Sequence, residues 1–211
     1  MGGGIRNFGT LTINSSTIYE NVVTAFCQSG DCSASGGGIF SFGGALTINN
    51  STISDNVASS PGSSSGGGIW ASGTAKISNT TLTLNRATVG GALAGTAVLQ
   101  NTIISDSPWG SNCSGTLTSN GYSLSSDDTC NLNGPGDLNN TDPMLGRLGN
   151  YGGPTQTIPL LPGSPAIDAG NPNGCTDGNG HLLNTDQRGK ARPDKEDSGG
   201  CDMGAFERQS D

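Results

Sequence analysis

The chain has 211 residues, of which 36 are Gly, with only 31% hydrophobic and 12% charged residues, a composition too poor in bulky apolar side chains for a helical bundle or a doubly wound sheet. A net charge of -8 with nine Lys and Arg spread along the chain excludes a nucleic-acid backbone as partner. No apolar run approaches bilayer-spanning length, so no membrane span is expected.

The first predicted unit opens at Gly2-Gly3-Gly4-Ile5, and the same block returns at Gly36 to Ile39, at Gly66 to Ile69 and, weakened, at Gly90-Gly91-Ala92-Leu93. A second block follows each time: Leu11-Thr-Ile13, Leu46-Thr-Ile48, Ala75-Lys-Ile77 and Ala97-Val-Leu99. A third follows that: Thr17-Ile18, Thr52-Ile53, Thr81-Leu82 and Ile103-Ile104. Three short strand-type runs per unit, each too brief to bury itself, predict an all-β solenoid, a right-handed parallel β-helix over residues 1–130. The spacing between the second and third blocks is constant, whereas the stretches Val22 to Ser35 and Val57 to Ser65 vary, which predicts a free loop at one corner.

Alternation on a strand points Leu11 and Ile13 inward with Thr12 outward, and Leu46 and Ile48 repeat this around Thr47. Two Asn columns align across the units, Asn50, Asn79 and Asn101 after the second block, and Asn21, Asn56 and Asn85 after the third. Asn tolerates unusual dihedrals, and its amide can bond backbone or the Asn one coil away, so both columns read as structural ladders at bends. The glycine triplets lack the G-x-G-x-x-G and P-loop contexts and read as tight turns.

After Cys130 the composition shifts, with eight of the ten prolines at 135, 143, 154, 159, 162, 165, 172 and 193. Proline cannot donate to a ladder, so residues 131–211 are predicted to be an irregular, Pro- and Asp-rich segment that covers the apolar end of the last coil. The cysteines fall into three sequence-local pairs, Cys27 with Cys32, Cys113 with Cys130 and Cys175 with Cys201, read as disulfides of an oxidising compartment, although spacing alone does not determine connectivity. None has the C-x-x-C spacing of a zinc site, and a single His argues against a mixed site.

Catalysis finds little support. Glycoside hydrolysis wants two carboxylates about 5 to 9.5 Å apart across a cleft. Asp127 and Asp128 are neighbours on opposite faces, and Arg6, Lys76 and Arg86 share no coil position that would serve a lyase. A calcium turn is conceivable at Asp177 and Asn179, but Asp177-Gly-Asn179-Gly-His181 lacks the bidentate Glu of an EF-hand, and a self-satisfied polar turn is the preferred reading. Asp186 is expected to pair with Arg188. Sequons occur at Asn14, Asn49, Asn79, Asn112 and Asn139, of which only the loop positions Asn112 and Asn139 read as glycan acceptors.

Six C-terminal motifs run in order: Asp142-Pro-Met-Leu-Gly146, Asn150-Tyr-Gly-Gly-Pro-Thr155, Leu161-Pro-Gly-Ser-Pro-Ala-Ile-Asp-Ala-Gly170, Asp186-Gln-Arg-Gly189, Arg192-Pro193 and Cys201-Asp-Met-Gly-Ala-Phe-Glu207. Together they resemble the choice-of-anchor Q module that ends many bacterial secreted proteins, and the units before them resemble the β-helix repeats that precede it. The resemblance implies a secreted or surface-attached bacterial β-helix protein and carries no catalytic residues. The start has neither a basic nor an apolar leader region and no sorting tail follows Glu207, so an export signal is expected upstream or removed, and anchoring is left open.

The first coil leaves Ile5, Leu11 and Ile13 and a row of backbone groups in need of a cover. Either the sequence is a fragment of a longer helix or something covers that face, and a second copy stacked head to tail would supply a cover and grow a filament. The expectation is therefore a non-enzymatic, extracellular structural protein that self-associates. The alternatives are a monomeric adhesin or module that binds surface glycans, and a polysaccharide lyase or glycosidase.

Overall fold

The computed structural model describes residues 2–27, 32–194 and 200–209. Among them all regular structure is β-strand. The first repeat contributes β1 (Ile5–Asn7), β2 (Thr10–Asn14), β3 (Thr17–Tyr19), β4 (Val22–Thr24) and β5 (Ser33–Ser35). The second contributes β6 (Ile39–Ser41), β7 (Ala45–Asn49), β8 (Thr52–Ser54), β9 (Val57–Ser59) and β10 (Ser63–Ser65). In the third, β11 (Ile69–Ser78) merges the first two runs and β12 (Thr81–Thr83) follows. The remaining strands are β13 (Leu93–Gln100), β14 (Ile103–Ser105), β15 (Cys113–Ser119) and β16 (Leu124–Ser125).

Every strand pairs in parallel with its counterpart one repeat away. One sheet runs β1-β6-β11-β13-β15, with β2 and β7 alongside, and a second runs β16-β14-β12-β8-β3. Two further pairs, β4 with β9 and β5 with β10, complete the set. The chain is thus all-β with parallel sheets, compatible with a parallel β-helix.

The predicted free corner is corrected by this arrangement. Residues 22–35 and 57–65 carry strands, and the single bridges Val57 to Arg86 and Ser65 to Val89 continue both pairings into the third repeat. Their interior is a small core of Val23, Ala25, Ala34, Ala58 and Ala87, so the backbones approach closely around small side chains. Residues 28–31 of the first of these stretches lie outside the described residues.

The main core consists of columns in register. Ile5, Ile39, Ile69, Leu93 and Cys113 align, as do Ile13, Ile48, Ile77 and Leu99. Period-2 alternation produces this: Ile48 and Ile77 are fully buried while Thr47 and Lys76, their neighbours on the strand, face outward. Both predicted Asn columns are present. Asn50, Asn79 and Asn101 adopt left-handed φ of 46°, 49° and 50° at the bend after the first sheet. Asn21 Nδ2 donates to Asn56 Oδ1 at 2.9 Å, and Asn56 Nδ2 donates to Asn85 Oδ1 at 2.9 Å. The triplets admit only Gly where backbones touch: a Cβ on Gly37 would stand 2.3 Å from the carbonyl oxygen of Gly67.

The C-terminal part departs from the predicted end cap. The end of the stack is closed within residues 130–138, where Cys130 and Leu132 join the main core and Leu138 bridges to Leu124. From there the chain turns back and runs as a strap along the flank, touching the first four repeats. Thr17 Oγ1 donates to the Gln156 carbonyl, Thr52 Oγ1 to Gln187 Oε1 at 2.6 Å, Asn50 Nδ2 to the Thr185 carbonyl at 2.8 Å, Asn79 Nδ2 to the Thr176 carbonyl at 2.7 Å, and Asn101 Nδ2 to the Asp202 carbonyl at 2.8 Å. A second core of Ile103, Leu124, Leu160, Ala166 and Met203 joins strap to stack. Thr52 and Thr81 point out of the stack yet are buried, because the strap covers them.

Candidate functional site

The first repeat is the outer edge of both main sheets, and the backbone of β1, β2 and β3 pairs on one side only among the described residues. Ile13 is 7% exposed where its counterpart Ile48 is 0%, and Ile5 and Leu11 are only partly buried. The three residues singled out in the sequence therefore sit together on one face, with Ile13 the best covered. At the opposite end, the column Leu11, Leu46, Ala75, Ala97 finishes at Leu117 of β15. Leu117 is the third partly buried residue packed against the main core, alongside Ile5 and Leu11. The Ile5 column, by contrast, is closed at its last rung by the Cys113–Cys130 disulfide.

The strap carries a buried polar cluster drawn from the last three sequence motifs. Arg192 Nε donates to Glu207 Oε2 at 2.8 Å with both side chains fully buried, and its other nitrogens donate to Asn50 Oδ1 at 2.9 Å and the Gly204 carbonyl at 2.8 Å. Burial pushes the Glu207 carboxyl up to about 8 against the opposing pull of the Arg192 charge, and the Asp202 charge adds to the rise. Burial likewise lifts Asp202 to about 6, although the backbone N–H groups of Arg208 and Asp168 donate to it. Asp186 pairs with Arg188 at 2.7 Å as the sequence suggests, and the Arg188 guanidinium lies 3.6 Å over the Phe206 ring. Apart from Glu207 Oε1, which is buried without a hydrogen-bond partner, these groups bond to protein, so the cluster reads as a fastening between strap and stack.

The three disulfides join Cys27 to Cys32, Cys113 to Cys130 and Cys175 to Cys201. The Asp177 turn is closed on itself: Oδ1 accepts from the N–H groups of Asn179 at 2.8 Å and His181 at 2.9 Å, and Oδ2 meets His181 Nδ1 at 3.1 Å. Burial raises the Asp177 pKa, but those hydrogen bonds outweigh it and hold the carboxyl below its usual range. Asn179 lends only its backbone to this turn, and no group of three or more His, Cys, Asp or Glu among the described residues could hold a metal ion.

Asn112, expected on an open loop, is 2% exposed, with Nδ2 donating to Ser126 Oγ at 2.9 Å. Asn139 is half-buried, its amide closing the Leu132 turn through Nδ2 to the Leu132 carbonyl at 2.8 Å. Burial keeps the Asn112 amide nitrogen from a glycan in the folded chain. Asp127 also has a structural role: Oδ2 accepts from Asn112 N at 2.9 Å and Oδ1 from Thr129 Oγ1 at 2.7 Å, shaping the turn beside the Cys113–Cys130 bridge.

Sequence reasoning passed over an aromatic patch outside the first sheet. Phe40 stacks on Trp70 at 4.7 Å, Phe42 lies parallel at 6.4 Å from each, and Arg6 sits 4.5 Å over Phe8. The signal lay in register, since Arg6, Phe40 and Trp70 occupy one column, two residues before the Phe8 and Phe42 positions.

No protein-family description, no curated protein and no solved structure matches the chain. The disulfides fit a compartment outside the reducing cytoplasm. No helix among the described residues is long and apolar enough to cross a membrane.

Proposed function

We propose that this chain is a non-enzymatic structural protein, a right-handed parallel β-helix secreted to the cell exterior or surface, whose copies add head to tail through the first repeat. The observation that carries this reading is the pair of unfilled ends on one column, Leu11 at the first repeat and Leu117 at the last. Stacking the β15 edge of one copy on the β1 and β2 edge of the next would extend the parallel sheet, pair the exposed backbone groups and bring Leu117 over Leu11. Each end differs from the other, so the contact is heterologous and need not close. The same edge would accept a preceding repeat of a longer chain. The C-terminal motifs that resemble the choice-of-anchor Q module support a bacterial, surface-directed setting.

Sedimentation velocity of the 211-residue chain over a hundredfold range of concentration tests the reading. A sedimentation coefficient that rises with concentration, and stays at the monomer value in Leu11→Arg with an unchanged circular dichroism spectrum, is the expected result. A wild-type chain that is strictly monomeric throughout overturns it.

A further inference from the structure

A cavity of about 600 Å³ opens on the flank between the bend after the second sheet and the start of the strap. Its charged groups are Asp55 and Asp106 from the bend and Asp142 and Arg147 from the strap, and Ser54 and Thr83 add hydroxyls. The bend position is left-handed in every repeat that lines it, with φ of 56° at Asp55, 58° at Leu84 and 52° at Asp106. Asp suits that conformation, but Leu does not, because a bulky side chain gains no local hydrogen bond there. Met144, across the cavity, is also left-handed at 49°. Leu84, Met144 and Leu161 are 40%, 38% and 41% exposed and all line the cavity, so burial compensates little for holding two of them in a disfavoured backbone.

The carboxylates of the lining retain unused bonding capacity. One oxygen of Asp55 accepts from Ser54 Oγ at 2.5 Å, and one oxygen of Asp142 accepts from Met144 N at 2.8 Å. The ion pairs among the described residues involve Asp177, Asp186 and Glu207, so none of the three cavity carboxylates, nor Arg147, is neutralised in one. Three carboxylates against one guanidinium, in a chain of net charge -8, disfavour an anionic ligand and favour a cationic one. Exposed aliphatic groups interleaved with acceptors suit a ring with an apolar CH face and a rim of donors.

We propose that this cavity binds a short stretch of an oligosaccharide built of amino sugars with free amines. The sugar CH face rests on Leu84, Met144 and Leu161, the hydroxyls and ammonium donate to Asp55, Asp106 and Asp142, and Arg147 donates to a ring or hydroxyl oxygen. The site includes neither Leu11 nor Leu117 and does not depend on addition at the first repeat.

Calorimetric titration of the full chain at low salt with a β-1,4-linked glucosamine tetramer, its N-acetylated counterpart, a galacturonate tetramer and tetralysine tests the proposal. Saturable binding of the glucosamine oligomer, at least tenfold weaker for the other three, is expected. The double variant Asp55→Asn, Asp106→Asn keeps the left-handed backbone and should lose at least tenfold in affinity at an unchanged melting temperature. Binding of tetralysine or the N-acetylated oligomer as tightly as glucosamine, or no binding of glucosamine at millimolar concentration, overturns it, and the same titration on Leu11→Arg separates this outcome from failure of self-association.

Discussion

Asn56, itself fully buried, donates its side-chain amide to Asn85 Oδ1, the Ile18 carbonyl and the Ser54 carbonyl, and accepts from the half-buried Asn21 Nδ2. Asn56→Ala strands these partners, and urea denaturation should show a loss of about 2–4 kcal/mol, since each buried group left unpaired costs about 1–3 kcal/mol. Leu84 is the opposite case: Leu84→Asn should leave stability unchanged or raise it by up to about 1 kcal/mol, because Asn tolerates the left-handed backbone. Glu207 and Asp202 bring a pH dependence. Both carboxyls bind a proton more tightly in the folded chain, at about 8 against a usual 4.5 and about 6 against 3.8. Their contribution is therefore fully present below the usual values and is lost as pH rises through the folded ones. The melting temperature should fall between pH 5.5 and 8.5, and Glu207→Gln should flatten that fall; a slope unchanged by the substitution would contradict the assignment. The Asn columns were legible from the sequence because identical residues recur at fixed offsets, whereas the Arg192–Glu207 pair was not, since nothing local marks two side chains that meet only after the strap has folded back.

At the scale of elements, each rung contributes a few apolar side chains to columns that only stacking completes. Ile77 lies between Ile48 and Leu99 at full burial, and Ile77→Ala should cost about 2–5 kcal/mol, read by urea denaturation. The strap is held differently, by the Cys175–Cys201 bridge with a sequence separation of 26, against 5 for Cys27–Cys32. Chain-entropy reasoning gives about 3.5 kcal/mol for the first and about 2 kcal/mol for the second. Replacing the first pair by Ser should therefore lower stability more, and should expose the Asn79 and Asn101 flank to hydrogen exchange. The repeat and the faces of its first strands were readable from Leu-Thr-Ile alternation. The strands Ser33–Ser35 and Ser63–Ser65 were not, because Ser-rich runs carry little β-propensity and their inward residues are only Ala34 and Ser64. The path of the strap was hidden for a related reason: Thr17, Thr52 and Thr81 look like solvent-facing residues until another segment covers them.

Across the whole molecule, the two ends of the stack are unlike. Residues 130–138 seal most of the last rung, yet the β15 edge and Leu117 remain partly open, and the first repeat offers β1, β2, Ile5 and Leu11. Parallel addition of one end to the other requires Leu117 of one copy to lie one strand spacing from Leu11 of the next, about 4.8 Å between backbones, a separation that a disulfide can bridge. The direct measurement is a mixture of two variants, one carrying Leu11→Cys and the other Leu117→Cys, oxidised at low concentration and resolved by non-reducing electrophoresis with mass spectrometry. Head-to-tail addition predicts the mixed disulfide as the dominant product; a mixture giving only like-with-like dimers, or no cross-link above the level of unfolded chain, would contradict it.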